Sequence, residues 1–376
     1  MVQIPGSPMT LSFLGNELNK KQLCDLLLKV WGSNEAASRI DKSMKAVVCV
    51  NGKSYDLTST NGKVQTSEIF ALRSNQEETD SRIVLYLHQA VKWGYKSCVV
   101  RTPDTDILMI LLYHASNINL SIYLDHGSGK HRTLINVTEL SESLGPDYCS
   151  TLLGFYVFTG EDCTSAFKGK GKVNPLKKLQ QNPKLHSAFR QLGADWLVTD
   201  ELQREMESFT CIMYGQARMT SVDAVRAKIL RKMVGADKVL DLKSKVDLER
   251  LPPPKVCLIP HVQRANYRVA CYKRADEAII ESPKPYDPGM GWEKTGEEEV
   301  LEPVWTIGPI LPPSLVEVLA QRAESEEQAA LDKVADSNNN YLSVGEEDGE
   351  YEHNDEDEVL EEIDLEDLFS DDEEDE

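Results

Sequence analysis

Five acidic side chains fall at three separated places along the chain, and at each a carboxylate can be put to use. Glu78 and Asp80 open a run of apolar residues at helical spacing. Asp104 and Asp106 follow the apolar run "KSCVV" and directly precede another. Asp162 stands beside Glu161, just after the Thr159-Gly160 turn. Carboxylates are rarely buried without a partner, so a pair of them at the end of a core strand points to something held there. If the three places meet at one edge of a sheet, four or five negative charges converge. Two such charges ~4 Å apart repel by roughly 4 kcal/mol at an effective dielectric of 20, a load that calls for cations. Ligands that are all oxygen suit Mg²⁺ or Mn²⁺ over zinc. Two such ions can clamp a phosphodiester for in-line attack by water. The plainer alternative is that the acids from Glu77 to Asp80 only complement a helix dipole and that Asp-x-Asp only makes a turn.

Directly after Asp162 comes "FKGKGKV". Gly169 and Gly171 permit close approach of the backbone, and amides at the start of a helix can face a phosphate. Lys168, Lys170 and Lys172, with Lys177 and Lys178 beyond, add positive charge. An exposed lysine-rich turn is the plainer alternative. Beside a carboxylate cluster, the loop fits a phosphate polymer better.

The elements that must position these residues are legible in outline. Leucines at near-helical spacing predict a helix within residues 10–31, weakened at Gly15. "MKAVVCVNGKSYDLTS" reads as a hairpin about Asn51-Gly52. Ile83, Leu87, Ala90 and Val91 share one face of a helix that begins near Glu78 and ends at Gly94. "KSCVV" reads as a buried strand, "LSIYLDHGSGKHRTLINV" as a second hairpin, and "TELSESLG" as a helix capped by Thr138. "DYCSTLLGFYVF" reads as another helix, and residues 183–236 as helical throughout. Residues 250–313, rich in Pro and Trp, read as an extended segment wrapped on the body or as a loose arm. Residues 316–334 read as one helix, and the composition beyond 335 is that of disorder. The order β-α-β followed by helices places the chain in the α/β class with a helical C-terminal layer. In such sheets ligands sit at the carboxyl ends of the strands, where Asp104 and Asp106 stand.

Composition removes several classes of function. The formal net charge is −21, from 41 basic and 62 acidic residues, yet residues 346–376 hold 20 of the acids and no Lys or Arg. The rest of the chain carries 42 acidic against 41 basic residues, so its balance does not oppose binding to a nucleic acid. Eight scattered cysteines form no Cys-x-x-Cys pair, which argues against a zinc site of that kind. Several lie in apolar runs, as reduced intracellular thiols do. "MVQIPGSPMTLSFLG" lacks the pattern of a secretory signal, and the apolar run Ile107–Tyr113 is too short to span a bilayer. The expectation is an intracellular protein not associated with membranes, with the nucleus favoured over the cytoplasm. "YLDHGSGKHR" is a hairpin tip and not a phosphate loop, because Leu124 and His131 stand where Gly and Ser or Thr are needed.

The order Glu-x-Asp, helix, strand, Asp-x-Asp, hairpin, helix, "TGEDC" and "FKGKGKVNPLKKL" resembles the PIN-like nuclease core of flap endonucleases and XPG-type enzymes, over about residues 70–195. The resemblance implies a mainly parallel sheet and a helix-two-turn-helix. It further implies that Glu78, Asp80, Asp104, Asp106 and Asp162 hold divalent metal and carry catalysis. Lys168, Gly169, Lys170, Gly171 and Lys172 would hold a nucleic-acid strand. The chain is also similar to a group of animal proteins with an "EADTR…SPDTDVL…FTGCDTTS" pattern. Two features depart from flap endonucleases. No strand with a first metal-binding Asp is evident, and in "VCVNGK" Asn51 stands where a second Asp is needed. The implied organisation is an N-terminal helix and hairpin (1–69), the PIN-like core (70–236), a Pro/Trp-rich extension and helix (237–334) and an acidic tail (335–376).

The function expected is Mg²⁺- or Mn²⁺-dependent hydrolysis of structured DNA, or of RNA. Two alternatives stand beside it. One is a relative that binds nucleic acid without cutting. The other is an interaction protein whose acidic tail, with Leu360, Ile363 and Leu368 at near-helical spacing, engages a basic protein such as a histone.

Overall fold

The computed structural model of the chain describes residues 16–41, 43–127, 129, 132–234, 247–296 and 300–308. Helix α1 (Glu17–Trp31) starts at Asn16, whose side-chain oxygen accepts from the amides of Leu18 and Asn19 and so satisfies two of the orphan donors at a helix start. Strands β1 (Ala46–Val50), β2 (Lys53–Thr60) and β3 (Lys63–Glu68) form an antiparallel meander. The turn at Asn51-Gly52 has both φ values positive, 50° and 77°, as a two-residue hairpin requires. A second Asn-Gly pair at 61–62 repeats it with 52° and 73°.

Helix α2 (Thr79–Lys92) buries Val84, Leu85 and Leu87 and stops at Gly94, where φ is 87°. Strand β4 (Ser97–Thr102) leads through Asp104 into helix α3 (Thr105–Ala115). Strands β5 (Ser121–His126) and β6 (Thr133–Asn136) complete a second sheet of order β4-β5-β6. The α3 crossover makes β4 and β5 parallel, whereas the short turn between β5 and β6 makes that pair antiparallel. The expected mainly parallel sheet is therefore corrected: β4–β5 is the one parallel pairing among the described strands. β4 is also not buried on both faces, since Val99 is exposed while Val100 and Thr102 are buried. Helix α3 is apolar all round and is buried nearly all round, from Asp106 to Leu112.

Helices α4 (Val137–Leu144) and α5 (Pro146–Thr159) follow. Asn136 caps α4 by accepting from the Glu139 amide. Thr138, expected in that role, instead accepts from the Ile122 amide and donates to the Leu120 carbonyl. The stretch 183–236 is broken into α7 (His186–Gln191), α8 (Asp200–Met213) and α9 (Val222–Val234), preceded by α6 (Val173–Gln180). Gly193 and Gly215, with φ of 72° and 74°, stand in the breaks. Phe155, Phe158, Phe189 and Phe209, from α5, α7 and α8, meet edge to face with centroids 4.9–6.2 Å apart.

The largest correction concerns residues 250–313. In place of an extended segment wrapped on the body or a loose arm, they contain α10 (Lys255–Lys273), the longest described helix, which is buried along much of its length. Pro260 lies inside it and cannot donate to the Val256 carbonyl one turn earlier. The amide of Ile307 fills that vacancy at 2.9 Å. Elsewhere in the stretch, the described residues 274–296 and 300–308 pack on the body. Strands β7 (Trp292–Thr295) and β8 (Val300–Pro303) form a small hairpin, and Arg264 on α10 donates to the carbonyls of Gly291 and Val304. The helix expected at 316–334 and the acidic tail lie outside the described residues. Together these elements make a mixed α/β fold with small sheets and mostly helical structure after β6. No helix among the described residues is long and apolar enough to cross a membrane.

Burial of His261 on α10 gives the fold a pH dependence. Its ring N–H donates to the Phe158 carbonyl at 2.9 Å, a group orphaned at the end of α5. Burial holds the imidazole down at about 4, against the opposing effect of that hydrogen bond. A histidine lowered on folding stabilises fully above its unfolded value near 6.5 and loses that contribution as pH falls towards 4. The contribution is about 3 kcal/mol. His261→Gln keeps a donor and removes the titration. Urea unfolding of this variant at pH 7.5 and pH 4 is therefore expected to show about 3 kcal/mol less acid destabilisation than the parent.

Candidate functional site

Three chain junctions bring the acids together. Glu78 occupies the N-cap position of α2 without capping it, and Asp80 lies in that helix's first turn. Asp104 caps α3, its Oδ1 accepting from the Asp106 amide at 3.1 Å, while the Asp104 amide itself donates to Thr102 Oγ1. Glu161 and Asp162 follow the end of α5, where a tight turn pairs Glu161 with Thr164. The carbonyls freed at that helix end are covered by the Thr164 hydroxyl on Val157, His261 on Phe158 and the Lys172 ammonium on Gly160.

The electrostatics tie the three junctions into one edge. Burial raises the Asp80 carboxyl above its ordinary range, and Asp104, Glu78 and Asp162 add to the rise. Burial pushes Asp106 up to about 7. A hydrogen bond from Tyr156 opposes the shift, and Asp104, Glu161 and Asp162 reinforce it. Glu161 is likewise raised, chiefly by burial, against the pull of Arg268. The Arg268 side chain is mostly buried. Its Nη2 donates to Glu78 Oε2 at 2.7 Å and to the Tyr272 hydroxyl at 2.6 Å, and its Nε lies 3.4 Å from Glu161 Oε1. Burial would lower the guanidinium, but Tyr272, Glu78 and Glu161 outweigh it and hold Arg268 above its ordinary value.

Of the acids singled out in the sequence, Asp104 and Asp162 act on both Asp80 and Asp106, while Glu78 acts on Asp80 and pairs with Arg268. The donor set is all oxygen and charge-crowded, which is the chemistry of a hard-cation site. Its spacing is looser than coordination needs: among the described residues, no three or more His, Cys, Asp or Glu side chains are grouped so as to hold a metal ion. Glu161, Arg268, Tyr156 and Tyr272 are components that sequence reasoning did not assign. Glu161 was visible beside Asp162. Arg268 had no local signal, because its partner Glu78 is 190 residues away.

From the lysine loop, Lys172 reaches the same edge. Lys172 Nζ donates to the Gly160 carbonyl at 2.5 Å and lies 4.6 Å from the centre of the Tyr156 ring, whose hydroxyl meets Asp106. Lys170 sits 4.3 Å from the centre of the Tyr214 ring, and burial and Lys178 lower its ammonium. Lys168 pairs with Glu249 at 2.7 Å. Gly169 and Gly171 have positive φ, 64° and 50°, and the space where a Gly169 side chain would lie is open. A cavity of about 430 Å³ lies on the far side of Arg268, walled by Glu78, Cys163, Tyr267, Cys271, Tyr272 and Trp292. Comparison with models of known families, with curated proteins and with solved structures finds no match to this chain.

Proposed function

We propose that the chain is a PIN-like, divalent-metal-dependent nuclease that hydrolyses phosphodiester bonds in structured DNA or RNA. The observation that carries this reading is the convergence at one edge of carboxylates from the start of α2, the β4–α3 junction and the end of α5, next to a glycine-lysine loop. In this reading Asp80, Asp104, Asp106 and Asp162 hold Mg²⁺ or Mn²⁺. A bound cation of this kind would neutralise charge developing on the phosphoryl oxygens and favour ionisation of water near it. Tyr156 orients Asp106, Lys172 fixes the end of α5 that carries Glu161 and Asp162, and the open flank of Gly169 leaves room for a phosphate beside Lys168 and Lys170.

The test is Mn²⁺ binding to the purified chain and cleavage of a branched DNA in Mg²⁺ or Mn²⁺, each measured with and without Asp106→Asn. Metal-dependent cutting that the variant loses by at least about 10³-fold is expected; cutting that the variant retains would overturn the assignment. A binding-only relative is the second reading, favoured by the absence of a ready three-ligand group among the described residues. It predicts no cutting of any substrate, together with salt-sensitive binding that Lys170→Glu weakens about tenfold.

A further inference from the structure

We infer that a cavity beside the lysine loop takes an unpaired base of a nucleic-acid strand, stacked on Trp305, with its phosphate held by Arg226 and Lys168. The inference rests on the nucleic-acid side of the reading above and involves no metal. The cavity measures about 390 Å³, within the range of small-ligand sites. Phe167 and Lys168 reach it from the loop after α5, Tyr214 from the end of α8, Arg226 from α9, Arg264 from α10, and Trp305 from the segment after β8. Arg264 is 2% exposed and donates to the carbonyls of Gly291 and Val304. Arg226 donates to the Pro252 carbonyl at 2.6 Å. Among the described residues neither arginine has a carboxylate partner. Glu249, the one acid among the described residues of the wall, pairs with Lys168. Charges withdrawn from water are normally paired. Here the counter-charge has to arrive with a ligand, and the ligand is an anion.

The second observation is the state of Trp305. Its ring is 63% exposed, yet the chain is pinned on both sides of it. The Val304 amide donates to the Gly291 carbonyl and the Ile307 amide to the Val256 carbonyl, each at 2.9 Å. The Arg264 guanidinium backs the ring, 5.5 Å from its centre. An aromatic ring that is fixed, backed by a cation and left uncovered is a stacking platform, because every base presents a π face. Phe167 and Tyr214 are buried and make the apolar wall, and Lys170 over the Tyr214 ring brings the charge of the loop to the same place. A ligand that is flat, aromatic and anionic satisfies all of these groups, and a nucleotide unit has that chemistry. A base inside a duplex has both faces covered by its neighbours, so the occupant is unpaired.

Binding of the full chain to oligothymidylate in EDTA, where metal-dependent cutting is silent, tests the assignment. The strand should quench tryptophan fluorescence. Trp305→Phe should remove most of that quench and hold affinity within about threefold, since a smaller ring still stacks. Trp305→Ala should weaken the single strand by at least about tenfold and a blunt duplex by less than about twofold. Arg226→Gln should lower the slope of log affinity against log salt by about 0.7, the share of one phosphate on a single strand. An abasic strand should bind the parent about tenfold more weakly than oligothymidylate and be indifferent to Trp305→Ala. Absence of strand binding by the parent would overturn the inference, as would a Trp305→Ala loss that is nil or equal on all three probes. So would displacement of the strand by thymidine monophosphate at equal concentration, which marks a mononucleotide site. Displacement by a peptide of residues 357–376 would give the cavity to the chain's own acidic tail and also overturn it. Cleavage of branched DNA in Mn²⁺ by the parent, alongside any of these failures, leaves the nuclease reading standing; loss of both strand binding and cleavage overturns both.

Discussion

On the nuclease reading proposed above, Asp104→Asn is expected to abolish metal-dependent cleavage, by at least about 10³-fold, and to leave the fold as stable as before. The two effects separate because Asp104 has two jobs. Its Oδ1 caps α3 through the Asp106 amide, and its charge acts on Asp80 and Asp106. Asparagine caps a helix about as well as aspartate, whereas alanine costs roughly 1 kcal/mol at such a position. Asp104→Ala should therefore lose both activity and about 1 kcal/mol of stability. Asp104→Asn should lose activity alone, and any gain in its melting temperature would report relief of the crowding. If Asp104 were no more than a cap, Asp104→Asn would be silent in every assay. Cleavage of branched DNA and thermal unfolding, measured in parallel on the two variants, distinguish these cases.

The second large effect lies in the core. Gly154→Ala will destabilise the protein by about 4 kcal/mol, at the upper end of what overpacking costs. A methyl group on Gly154 would overlap the Phe189 carbonyl oxygen and lie 3.1 Å from its carbon. Both obstacles are backbone atoms of Phe189 in α7, which is held against α5 by phenylalanines that interlock with Phe209, so no side chain can swing aside. The better helix propensity of alanine, about 1 kcal/mol, is too small to compensate. Gly169→Ala is the control. Nothing lies within 4 Å of its added carbon, and its φ of 64° leaves a strain of only roughly 1–2 kcal/mol. Urea denaturation of both variants measures the difference.

Local chemistry made much of this molecule readable from its sequence. Asn51-Gly52 forms the hairpin turn its residues demand, Gly94 stops α2, and Asp104 follows the end of β4 as expected, although the helix α3 that it caps was not foreseen. The failures came where one segment repairs another far along the chain. Pro252, Pro253, Pro254 and Pro260 read as breakers of regular structure. Yet Pro254 stands at the N-cap of α10, where its missing N–H costs little, and the carbonyl that Pro260 leaves bare is met by Ile307. Residues 183–236 failed for a different reason: helical spacing persists across Gly193 and Gly215, and it took tertiary packing to decide that the chain turns there. The acids of the candidate site were visible because each cluster has a local signature. Arg268 was not, because its pairing with Glu78 and Glu161 has no periodicity to betray it.

That long-range pairing bears on how the protein is made. Translation delivers Glu78 through Asp162 well before Arg268, so the nascent chain carries a crowded, uncompensated acidic edge until α10 has been synthesised and docked. A fragment ending before residue 255 would lack His261 and Arg264 as well as Arg268. It should therefore behave as an expanded, ligand-incompetent polypeptide and not as a minimal working unit.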